Sequence, residues 1–104
     1  MSYSGRPFFR IPRPLLLEGG VESKTLTGNP SLTDKDSLFQ IMDGGGSNRV
    51  VFLPALKSGR VYMIKNAGAS NIIELKNPDN SFVGSLAVAE SKWFVCDGIN
   101  WFVL

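Results

Sequence analysis

The sequence predicts a small all-β domain: a sandwich or barrel of about eight short antiparallel strands behind an extended N-terminal arm. Three observations carry this expectation. Apolar residues alternate with period two through most of the chain, and no segment sustains an i, i+3, i+4, i+7 stripe. Turn-forming clusters recur about every eight to twelve residues, as in sandwiches and barrels. Eleven glycines and six prolines favour turns over helix. The 104 residues fit one domain, 43% hydrophobic and 19% charged, which is a globular balance.

The arm comes first. Residues 1–17 contain Arg6, Arg10 and Arg13 and no acid, together with Pro7, Pro12 and Pro14. The prolines exclude helix and disfavour a regular strand. Such sequence tends to polyproline geometry at about 3.1 Å per residue, so 17 residues reach on the order of 50 Å. The arm also carries Tyr3, Phe8, Phe9 and Ile11, and Phe8, Phe9 and Ile11 are costly to leave in water, by roughly 1.5–3 kcal/mol each. Arginines and aromatics are also the types enriched at binding hot spots. Residues 1–20 are therefore expected to form an arm and residues 21–104 a β-sandwich domain. Arg6, Phe8, Phe9, Arg10, Ile11 and Arg13 are the expected partner contacts. An arm that merely wraps its own domain is the plainer alternative.

After Gly19-Gly20 the first expected strand is 21–28, broken by Asn29-Pro30-Ser31. A second is 37–43, and the glycine-rich 43–48 reads as a hairpin loop into a third, 49–53, which Pro54 ends. The fourth, 60–66, has Val61 and Met63 opposing Tyr62 and Ile64. The fifth, 71–76, closes at Asn77-Pro78-Asp79-Asn80. The sixth, 82–88, is interrupted by Gly84. The last two, 92–97 and 100–104, form a hairpin about Asp97-Gly98. The only helical candidate is one turn at 33–37. Trp93, Phe94, Trp101 and Phe102 give each strand of the final hairpin one aromatic per face. One face should enter the core; the other is either simply half covered or docks a neighbour, and on the docking reading Trp93 and Trp101 join the expected contacts. The apolar ending at 101–104 calls for cover, from the core or from a partner.

Chemistry has little to work with. There is no histidine, the commonest general base and zinc ligand. Cys96 is alone, so it can neither form an intrachain disulfide nor build a Cys-rich metal site, and its neighbours suggest a buried thiol. Asp34 and Asp36 lack the full calcium-loop pattern. Gly44-Gly45-Gly46 is followed by Ser47-Asn48-Arg49 and a strand, not by the lysine and helix of a phosphate loop. No catalytic residue, metal or cofactor is expected. A net charge of +2 gives no ground for nucleic-acid binding. No stretch approaches the ~20 apolar residues of a membrane span, and no secretory leader is evident, so synthesis in the cytoplasm is expected.

Thr25-Leu26-Thr27, FQIMDGGGSNRVVFLP (39–54), YMIKNAG (62–68), NIIEL (71–75) and FVCDGINWFVL (94–104) together resemble the small β-modules of tailed-bacteriophage virion proteins. Such modules occur in capsid decoration (cement) proteins and in tail fibres. The resemblance implies a non-enzymatic structural protein on the outer capsid surface of the virion, made in the host cytoplasm. Its implied partners are the major capsid protein, whose subunits it would bridge, and itself, as a homo-trimer. No collagen-like repeat, heptad run or repetitive shaft is present, which favours decoration over fibre. The alternative is a tail-fibre or receptor-binding module that recognises host surface glycan through Trp93 or Trp101 and the 43–48 loop.

Overall fold

The period-two pattern becomes eight strands in a computed structural model that describes residues 18–104. They are β1 (Val21–Thr25), β2 (Phe39–Asp43), β3 (Arg49–Phe52), β4 (Val61–Asn66), β5 (Ile73–Lys76), β6 (Phe82–Leu86), β7 (Ser91–Cys96) and β8 (Trp101–Val103). No helix occurs among the described residues. The 33–37 segment is a single turn, in which the Asp36 N–H donates to the Thr33 carbonyl at 3.1 Å. The arm expectation, with Arg6, Phe8, Phe9, Arg10, Ile11 and Arg13, lies outside the described residues.

Two sheets face each other across one core. The first has the order β1-β2-β4-β7-β8 and the second β3-β5-β6. Alternation along the strands explains the layering. Met42, Val51, Ile64, Ile73, Leu75, Leu86 and Phe94 are completely buried between the sheets. Each such side chain is worth roughly 1.5–3 kcal/mol relative to exposure.

The strands are not all antiparallel, which corrects the sequence expectation. β1 pairs with β2, β2 with β4, and β3 with β5, all in parallel. A parallel pair needs a long crossover. Here each crossover runs through the opposite sheet, so the chain winds as a coil. Val21 opposes Phe39, and Phe39 opposes Met63 one coil later. On the other side Ser31 bridges to Phe52, and Arg49 opposes Ile73. The coil is a short β-solenoid, and antiparallel β6, β7 and β8 close it.

The 43–48 segment is accordingly a corner between sheets rather than a hairpin loop. Both flanks of β2 are already taken by β1 and β4, so β3 has no place beside it. Gly45 (φ 70°) and Gly46 (φ 91°) make the turn with left-handed backbone. A Cβ on Gly45 would run into the Leu26 carbonyl oxygen, so the corner packs on the preceding coil. The expected final hairpin does form, and the turn expected at 77–80 closes a second one. Asn77–Ser81 joins β5 to β6 with Asn77 N–H on the Ser81 carbonyl at 2.9 Å. Asp97 turns β7 into β8 by accepting the Ile99 and Asn100 N–H groups at 2.8 Å each.

Asparagines stitch the coils. Asn29 Oδ1 accepts the Val50 N–H and Asn48 Oδ1 accepts the Ile72 N–H, both at 2.9 Å. Buried Asn66 uses every polar atom of its amide. It donates to the Asn71 and Leu86 carbonyls at 2.7 and 3.0 Å and accepts from the Gly68 N–H at 3.0 Å.

Candidate protein-binding face

Strand alternation sends the inner residues of the five-stranded sheet to the core and leaves an outer face with its own composition. Register places Val21, Phe39, Met63 and Trp93 in one row across β1, β2, β4 and β7. Leu104, whose N–H donates to the Trp93 carbonyl at 2.9 Å, extends that row past the end of β8. A parallel row holds Val61, Val95 and Phe102. Ile41 stands between Phe39 and Asp43 on the same side. Charge and polar groups enter at one end, where the row through Ile41 holds Ser23, Lys65 and Ser91, and Asp43 pairs with Thr25. The result is an apolar plate.

The plate is open to solvent. Trp93 is 42% exposed, Phe102 47%, Val21 57% and Leu104 77%, while Phe39, Ile41, Val61, Met63 and Val95 are half-buried. Phe39 and Trp93 belong to strands separated by β4, yet their ring centroids are 6.0 Å apart at 66°. That edge-to-face contact fixes the two rings as one ridge across Met63. The other sheet is mixed on its outer side, where Glu74 and Ser85 are paired neighbours and Lys76 lies further along β5.

The two tryptophans part company. Trp93 stands on the plate, facing solvent. Trp101 is a correction: it pairs with Cys96 on the inward phase of the hairpin and is only 5% exposed. Its Nε1 donates to the Pro54 carbonyl at 3.1 Å, and its ring packs 6.1 Å from Tyr62. It offers no surface to a partner, and Phe102 takes the outward place instead. Sequence reasoning passed over Phe39 and Ile41. The available signal was a strand, Phe39-Gln40-Ile41-Met42, that is bulky on both faces, like Val61–Ile64.

The remaining candidates are engaged locally. Asp36 accepts the Thr33 N–H at 2.6 Å, and Asp34 lies 3.7 Å from the Arg60 guanidinium. Among the described residues no three His, Cys, Asp or Glu side chains gather as a metal site. Cys96 is buried, and its Sγ accepts the Gly98 N–H at 3.4 Å. Burial raises the Tyr62 hydroxyl above its ordinary pKa, with the Asp36 charge adding to the shift, and its O–H donates to the Thr33 carbonyl at 2.6 Å. The Ser81 hydroxyl and N–H hold Asp79 below the usual carboxylate range, and the N–H groups of Asn100 and Ile99 do the same for Asp97. These acids cap turns. No helix of the described residues is long and apolar enough to cross a membrane. Comparison with protein-family models, with curated proteins and with solved structures found no match for this chain.

Proposed function

We propose that this protein is a non-enzymatic structural module that decorates a tailed-phage capsid on its outer surface and stabilises it by bridging major capsid protein subunits. The observation that carries the reading is the apolar plate of the five-stranded sheet. A chain that works alone in water rarely leaves a contiguous apolar face of this kind, and such faces mark contact with other protein. The arm supplies the other half. Arg6, Arg10 and Arg13 suit acidic groups on a capsid subunit, and Phe8, Phe9 and Ile11 suit its apolar pockets. Repeated attachment across a lattice adds avidity even where one arm binds weakly.

The test is co-sedimentation with assembled capsids. Removing residues 1–17 should leave a folded β domain that no longer pellets with them. Undiminished binding of the truncated chain would overturn the arm as anchor. A glycan array should be blank, and saturable glycan binding would move the function to adhesion.

A further inference from the structure

The geometry points to the chain's own arm as the occupant of a two-part groove at one end of the domain. In the absence of a capsid, Phe8, Phe9 and Ile11 fill the groove and an arm arginine pairs with Asp79. A capsid subunit competes with the groove for the same residues. That consequence rests on the decoration reading, whereas the contact itself is a property of the isolated chain.

The groove is built from turns. One cavity of about 360 Å³ lies against Leu32, Phe52 and Pro54. A second, of about 400 Å³, shares Ala55 and Pro78 with it and runs past Leu56 and Ile99 to Asp79. Each has the volume of a ligand pocket. Two adjoining pockets suit an extended segment, which needs a place for each of its anchoring side chains. Leu56 is 44% exposed and Ile99 74%, so the walls are apolar and uncovered by the described residues. They are also set in advance. The Ser81 hydroxyl donates to Asp79 at 2.6 Å, Asp97 holds the Ile99 N–H at 2.8 Å, and Trp101 Nε1 fixes the Pro54 carbonyl at 3.1 Å. An incoming segment meets a site with little left to order.

Charge and reach select the occupant. Among the described residues Asp79 is the only charged side chain lining either cavity, and its bonds from Ser81 favour the carboxylate. Residues 1–17 carry three arginines and no acid, and Phe8-Phe9-Arg10-Ile11 sets apolar side chains beside a cation. The root of the arm lies at the groove's end of the domain. The Ser37 hydroxyl holds the Gly19 carbonyl at 2.6 Å where β1 and β2 begin. That end of the larger sheet meets the 54–59 loop, since the Gly59 N–H donates to the Cys96 carbonyl at 2.9 Å. From β1 to β8 is four strand spacings, about 19 Å. Arg13 back to Phe8 stand roughly 20–35 Å from Gly19 along an extended chain at ~3.1 Å per residue. The distances match.

Limited trypsin digestion of the full chain without capsid tests this. Arg6 and Arg13 precede prolines, so Arg10-Ile11 is the arm bond open to trypsin. Cleavage there follows the fraction of arm outside the groove. Ile99→Ser should speed it by roughly 10-fold and Asp79→Asn by less, both with unchanged circular dichroism. Val88→Ser, at the opposite end of the domain, should not. A second readout is independent of those variants: the Ile99 methyl resonances should move in the Phe8→Ser, Phe9→Ser chain as the rings leave. Unmoved Ile99 methyls would overturn the proposal, and so would one cleavage rate shared by the natural, Ile99→Ser and Asp79→Asn chains. An intramolecular contact should give the same rate from about 1 µM to about 100 µM. A rate that falls with concentration would overturn the assignment, because the arm would then sit on another copy. Capsid co-sedimentation separates this proposal from the decoration reading. Ile99→Ser should pellet more completely than the natural chain, because less of its arm is held back. Weaker pelleting would make the groove a capsid contact and overturn the competition. If no chain pellets, the decoration reading fails, and the protease and methyl results still decide the groove.

Discussion

Asn48 reaches from one coil to the next: its Oδ1 accepts the backbone N–H of Ile72 at 2.9 Å, and Asn29 does the same for Val50 one coil earlier. A parallel coil has no tight turn to fix its register, so these side chains perform that task where the chain enters the smaller sheet. Asn48→Ala removes an acceptor from a partly solvated N–H, and the expected cost is about 1 kcal/mol. Asn29→Ala should cost a similar amount. Urea unfolding checks both, and the slope should stay unchanged because the surface exposed on unfolding does not alter. The double variant should exceed the sum if the coils open together.

At Gly84 the two sheets approach closely. A Cβ there would stand 2.7 Å from Val103 Cγ2 and 3.4 Å from Phe94 Cε1, and β8 is held by its pairing with β7. Gly84→Ala is therefore expected to destabilise by about 1–3 kcal/mol through overpacking. Val103→Ala combined with Gly84→Ala should recover part of that loss. A thermal melt of the pair against each single variant reads the coupling. Equal losses in the single and double variants would place the clash elsewhere.

Strand positions were legible because alternation and turn residues are local signals. The 61–66 and 92–97 segments could be read from their own residues, and so could the turn at 77–80 and the hairpin at Asp97-Gly98. Pairing direction was not legible. Val21 meets Phe39 and Phe39 meets Met63 at separations that no turn motif encodes. Gly44-Gly45-Gly46 looks the same in sequence whether it closes a hairpin or rounds a corner against Leu26. The tryptophan assignment failed for a related reason. Phase along β8 decides which of Trp101 and Phe102 faces inward, and both are bulky enough for either place. The plate was half-visible, as strands apolar on both faces, but its continuity depends on register between distant segments.

The two tryptophans should report their separate positions when removed. Trp101→Ala empties a core site and strands the Pro54 carbonyl, for an expected loss of about 3–5 kcal/mol. Trp93→Ala takes away half-exposed surface and one edge-to-face contact, with an expected loss of about 1 kcal/mol. Guanidinium unfolding followed by far-ultraviolet circular dichroism compares them without relying on either indole. Comparable losses at both positions would contradict the inward placing of Trp101.

Tyr62 should give the fold a weakness to base. Its hydroxyl is raised above 10.0, first by burial and then by the negative charge of Asp36, while its O–H remains bonded to the Thr33 carbonyl. In the unfolded chain the phenol ionises near its ordinary value of about 10. The folded state thus holds the proton more tightly than the unfolded state does. Its contribution to stability is complete below about pH 10 and is lost as pH rises toward the folded-state value. Melting temperature should accordingly decline more steeply above about pH 10 in the natural protein than in Tyr62→Phe. The variant also leaves the Thr33 carbonyl without this donor, which should cost about 1 kcal/mol at neutral pH, so the two melting curves should converge in base. The sequence has one other tyrosine, Tyr3, so absorbance titration of Tyr3→Phe isolates the Tyr62 ionisation. An apparent pKa at or below 10.0 in the folded protein would contradict the buried hydroxyl and its bond to Thr33.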